Sequence, residues 1–106
     1  MFCQIAAGQI PSHIIHSDDT YFVIRDISPK APIHLLVIPR EHVGCVSDLT
    51  ADQYMMFEGL FRWGERAADM EGLSDSGYRL VINNGRNAGQ QVNHIHLHVL
   101  GGKILG

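Results

Sequence analysis

Residues 94–100 read His-Ile-His-Leu-His-Val-Leu, a strict alternation of imidazole and aliphatic side chains. A helix would scatter the two kinds around its circumference. An extended strand instead sends successive side chains to opposite faces, with Ile95, Leu97 and Val99 on one and three histidines on the other. The aliphatic face needs a core to enter, so the chain must build a sheet with at least one covered side. Its 106 residues suit a single domain, 1–106, and 45% apolar against 18% charged residues excludes intrinsic disorder. Seven histidines almost equal the eight lysines and arginines, which makes imidazole chemistry the feature to explain.

The remaining elements follow from periodicity and punctuation. Phe2 to Gln9 has helical spacing, closed by Gly8 and Pro11. His13 to His16 is a short extended run before the turn Ser17-Asp18-Asp19. Tyr21 to Ile24 and Ile33 to Ile38 predict strands, the second central and stopped by Pro39. Thr50-Ala51-Asp52-Gln53 fits a capping box and opens a long helix. Its apolar face is Met56, Phe57, Leu60, Phe61, Gly64, Ala67 and Ala68, and Gly72 is its C-cap. Tyr78 to Asn83 and His94 to Leu100 predict the last two strands. Strands that cluster rather than alternate with helices give an α+β fold, a mainly antiparallel five-stranded sheet with one long and one short helix. Such a sheet leaves one face partly open, and a homodimer that extends the sheet is expected to cover it.

Global signals remove several classes of function. A net charge of −3 excludes a generally basic nucleic-acid binder. No apolar run is long enough to span a bilayer and no secretory signal is visible, so no membrane association is expected. Cys3 and Cys45 are too few for a disulfide framework, which suits a reducing, cytoplasmic setting. Cys45 is expected to be a small buried residue, Trp63 and Phe61 core or subunit-contact residues, and Arg62, Glu65 and Arg66 a solvated face. His13 and His16 are expected to face solvent and His42 to lie in a loop.

Same-face histidines on a strand stand roughly 6.6 Å apart. That is too far for all three rings to touch, but one substrate group can meet two of them. Neutral imidazoles can ligate metal, or one can attack phosphorus while its neighbours manage charge. A His-rich solvent-facing edge is the bland alternative. The preceding loop favours phosphorus chemistry. Asn83-Asn84-Gly85 and Gly89-Gln90-Gln91 offer amide donors and close backbone approach to an anion, and no carboxylate for a hard metal.

The run from His94 to Leu100 resembles the His-φ-His-φ-His-φ-φ signature (φ apolar) of the histidine triad superfamily. Together with Asp26-Ile27-Ser28-Pro29 and His34-Leu35-Leu36-Val37-Ile38-Pro39, it resembles the Hint branch, the purine nucleoside phosphoramidases. The resemblance implies a nucleoside 5′-phosphoramidate hydrolase acting through a nucleotidyl-histidine intermediate on a purine nucleotide, with no cofactor required. It assigns His96 as nucleophile, His98 as phosphate contact and proton donor, His94 as the carbonyl that orients His96, and His34 as a hydrogen-bonding fourth histidine. Asp26 takes the ribose hydroxyls. Ile27, Ile10, Ile24 and Phe2 wall the base, and Asn83, Gly89, Gln90, Gln91 and Val92 hold the phosphate. Other activities in reach are dinucleoside polyphosphate hydrolysis and a non-catalytic nucleotide- or zinc-binding module.

Three departures from the family pattern stand out. Gln91 replaces a serine associated with the leaving group. The chain ends at Gly106, where relatives often continue into a Trp- and Pro-bearing tail. Some bacterial relatives hold zinc with a Cys-x-x-Cys pair and two histidines. Here Cys3, His42 and His94 match only three of those ligands, so zinc is not expected.

Overall fold

The structure is a computed structural model that describes residues 14–90 and 92–106. The predicted short helix and Phe2, Cys3, Ile10, His13 and Gln91 lie outside the described residues. Five strands form one antiparallel sheet: β1 (Ile14–Ser17), β2 (Tyr21–Arg25), β3 (Ile33–Pro39), β4 (Tyr78–Val81) and β5 (Leu97–Gly101). Their order is β1-β2-β3-β5-β4, with β3 in the middle. One long helix, α1 (Met55–Met70), covers one face. Among the described residues no helix is long and apolar enough to cross a membrane.

The unbroken apolar runs of β2 and β3 reflect burial on both faces. Tyr21, Val23, Leu35 and Val37 turn toward α1 and join Ile95, Leu97 and Val99 in the main core. Phe22, Ile24, Leu36 and Ile38 form a second cluster on the opposite face.

The long helix begins later than its capping signal. Thr50 and Gln53 do form a capping box, with the Thr50 N–H donating to the Gln53 side chain at 2.9 Å. The box closes a 3-10 turn at Ala51–Gln53, and α-helical bonding starts only at Met55. The helix buries Leu60, Trp63, Gly64, Ala67 and Ala68. Trp63 takes the place expected for Phe61, which stays 44% exposed, because it completes a stripe of three- and four-residue steps that Phe61 would broaden. At the far end Gly72 has φ +78°, its N–H donates to Asp69 O at 3.0 Å, and Leu73 N–H donates to Ala68 O at 2.9 Å. That is a Schellman closure, which requires the left-handed residue glycine supplies.

Two strands are shorter than their sequence pattern. β5 starts at Leu97, not His94, because its register against β3 ends at Val37↔Leu97 and β3 stops at Pro39. Upstream, the Ile95 N–H turns instead to the Val43 carbonyl at 2.7 Å. β4 ends at Val81, not Asn83, since Val81↔His98 is its last pair with β5. His16 is half-buried rather than solvent-facing, stacked at 6.3 Å on Trp63. Cys45 is also half-buried, not buried.

Candidate active site

The pleat of β3 and β5 sets the site. Leu35, Val37, Leu97 and Val99 point toward α1, so His34 and His98 emerge on the opposite face. The register pairs His34 with Leu100 and Leu36 with His98, making the two histidines diagonal neighbours. His34 Nε2 lies 2.9 Å from His98 Nδ1. The ring centroids of His96 and His98 are 4.9 Å apart, closer than the spacing of an ideal strand because His96 precedes β5 and the rings tilt by 59°.

Hydrogen bonds to carbonyls fix two tautomers. His96 Nδ1 lies 2.7 Å from the carbonyl of His94 and must carry the proton, which leaves the lone pair on Nε2. His94 Nε2 likewise donates to the Pro39 carbonyl at 2.8 Å. His94 Nδ1 then faces His42 Nδ1 at 3.3 Å, with the rings edge to face. His42 does lie in a loop, yet its ring belongs to this second imidazole pair. These two rings are the histidines of the partial zinc pattern, and the third residue of that pattern, Cys3, lies outside the described residues.

His34 and Asp26 form the other side of the cluster. Asp26 Oδ1 accepts the Ser28 N–H at 2.8 Å, while Oδ2 lies 3.4 Å from His34 Nε2. The remaining nitrogen of His34, Nδ1, accepts the Lys30 N–H at 3.0 Å. Asp26, His34 and His98 offer ligand atoms within 4.8 Å of one another, a spacing that admits a metal ion. A ligating histidine, however, presents its second nitrogen as an N–H to an acceptor. His34 presents that nitrogen to a donor, so this set is built for hydrogen bonding.

Burial governs the charge of the rings. His34, His94 and His96 are 4%, 2% and 8% exposed. Desolvation is the largest influence on each and holds all three below the ordinary imidazole value of 6.5. His98 falls further, to about 4, through burial and then the neighbouring His96 and His34 rings. The four rings are therefore neutral at pH 7.

The loop after β4 turns through a 3-10 segment at Arg86–Ala88, bounded by Gly85 at φ +86° and Gly89 at φ +90°. Both ends of the Gln90 amide brace it. Oε1 accepts the Gly85 N–H at 2.8 Å, and Nε2 donates to Gly44 O at 2.7 Å and Val92 O at 3.0 Å. Gln90 thus shapes the loop through its side chain. Asn83 is half-buried, Gly89 is exposed, and Val92 packs on the second cluster, of which buried Ile24 is a member. Ile27, next to Asp26, is 93% exposed, an apolar surface open to a ligand. The Lys30 amide carries no sequence signal, since any non-proline residue offers one, while the Asn84 side chain, part of the expected anion loop, accepts the Ser47 N–H at 3.0 Å.

A HIT domain family model matches residues 7–104 of the chain. A purine nucleoside phosphoramidase of Escherichia coli K12 is 41% identical over 106 residues, covering all of this chain and 89% of the relative. Among solved structures, a HIT family hydrolase from Legionella pneumophila superposes with a TM-score of 0.96 at 42% identity, over 100% of this chain and 95% of that one. A histidine triad protein from Clostridium difficile gives a TM-score of 0.95 at 34% identity, over 99% and 91%.

Proposed function

The chain belongs to the HIT domain family, and on that premise we propose that it hydrolyses the P–N bond of a purine nucleoside 5′-phosphoramidate. The observation that carries this reading is the tautomer of His96. With Nδ1–H held on the His94 carbonyl at 2.7 Å, the lone pair of Nε2 belongs to a neutral ring next to His98. Nε2 attacks phosphorus, and the P–N bond breaks with its electron pair on nitrogen, which takes up a proton and departs as the amine. Water then displaces His96, giving the nucleoside monophosphate and restoring the proton. His98 donates its N–H toward the phosphoryl oxygens and the departing nitrogen, where charge develops. Asp26 Oδ2 accepts from the ribose hydroxyls, and exposed Ile27 supplies apolar contact to the base.

Rapid quench of the reaction with an adenosine phosphoramidate, followed by mass analysis, tests this directly. One nucleotidyl group on His96 is expected, and His96→Ala is expected to lose turnover while still binding nucleotide. Full activity in that variant overturns the mechanism. The reaction proceeds without a cofactor in this reading, in keeping with the donor-facing nitrogen of His34. A homodimer is supported by the apolar surface of α1 and the residue before it, where Tyr54, Met55, Phe61 and Met70 are exposed. A mass in solution near twice 11.8 kDa is the expected result. A cytoplasmic setting suits the unpaired thiol of Cys45.

A further inference from the structure

A histidine that serves phosphorus chemistry must present the right nitrogen as well as the right charge. Carbonyls decide this for His96 and His94, but His98 Nδ1 meets another imidazole, where either ring can be the donor. The ambiguity is resolved one residue further out. A backbone N–H can only donate, so His34 Nδ1, 3.0 Å from the Lys30 nitrogen, can only accept. The proton of neutral His34 therefore resides on Nε2. That N–H points at His98 Nδ1 across 2.9 Å, with Asp26 Oδ2 at 3.4 Å as a second acceptor. His98 Nδ1 must then accept, and the His98 proton is driven to Nε2, the nitrogen on the far side of the ring from His34.

We propose that the backbone amide of Lys30 is a positioning group that, through His34, holds His98 neutral with its proton on Nε2. The proposal rests on the hydrolase reading above and adds how that site is set. The depressed affinity of His98 for a second proton agrees with it, because protonating Nδ1 would set two N–H groups against each other. The loop from Asp26 to Pro32 acquires two tasks, since it carries both the ribose carboxylate and the amide that orients the histidine pair.

Nitrogen-15 spectra of histidine-labelled protein, free and with AMP bound, test the proposal. His34 and His98 are expected to show protonated Nε2 and unprotonated Nδ1 at pH 7 in both states. The opposite tautomer of either ring, or a doubly protonated His98, overturns it. Lys30→Pro removes the amide proton, whereas Lys30→Ala keeps it. The proline variant is expected to let the Nδ1-protonated forms of both rings appear and to lower kcat with little change in KM, and the alanine variant to keep the wild-type tautomers. A wrong histidine tautomer in a hydrolytic triad costs up to about 10⁴-fold in rate, which bounds the loss. Unchanged tautomers in folded Lys30→Pro overturn the proposal, and if that variant does not fold, the wild-type spectra decide alone. Expected tautomers in a protein that turns over no phosphoramidate uphold this inference and overturn the hydrolase reading instead.

Discussion

A ring nitrogen that attacks phosphorus has to keep its lone pair at neutral pH while staying close to an anionic substrate. Burial does this for His96, disfavouring the charged ring by more than the bond to the His94 carbonyl favours it. The depressed value means that acidification from pH 7.5 does not remove the nucleophile at the ordinary imidazole titration. The acid limb of kcat/KM, which reports the free enzyme, is therefore expected below pH 6.5. A rate profile from pH 4.5 to 8.5 checks it, and a limb centred at or above 6.5 contradicts the burial argument. His98, at about 4, stays neutral throughout the working range and acts as an N–H donor.

The triad depends on how closely α1 presses on β5. A Cβ placed on Gly64 would lie 2.5 Å from Leu97 Cδ2 and 3.1 Å from Leu80 Cδ2, and Leu97 is fully buried between His96 and His98 in the chain. Gly64→Ala gains about 1 kcal/mol of helix propensity. Overpacking of a filled core costs roughly 1–3 kcal/mol, and the shift falls on the strand that carries the histidines. A lower midpoint of thermal unfolding with reduced turnover is expected, and a variant as stable and active as the parent rules out this tight contact. Gly64 was legible in the sequence as a member of the helix stripe, and Ile95, Leu97 and Val99 as the buried half of an alternation. The boundary at Leu97 was not, because it depends on where β3 runs out of partners, a matter of register between residues some sixty positions apart. For the same reason His42 reads as a loop residue, although its ring meets His94 across 52 positions of sequence. The Lys30 amide leaves no trace in a side-chain pattern at all.

At the scale of the whole molecule, one sheet separates two environments. The α1 side holds the main aliphatic core, and the other side joins a smaller apolar cluster to a set of buried imidazoles. Keeping those rings neutral ties stability to pH. His34, His94, His96 and His98 all bind protons less readily in the folded chain than at the unfolded value of 6.5. Below 6.5 the unfolded chain accordingly holds more protons than the folded one, and each step of acidification favours unfolding. The contribution of these rings is complete above about pH 6.5 and is lost as pH falls through their folded values, which for His98 means toward about 4. The midpoint of thermal unfolding is therefore expected to fall between pH 6.5 and 4.5, above the range in which ordinary carboxylates titrate. His98→Asn removes one of these titrations and is expected to flatten the decline. Circular dichroism melts at pH 7.5, 6.5, 5.5 and 4.5 measure both. A midpoint unchanged across that series contradicts the burial of neutral rings, because no folded protein can shelter four such groups from protonation without losing stability to acid.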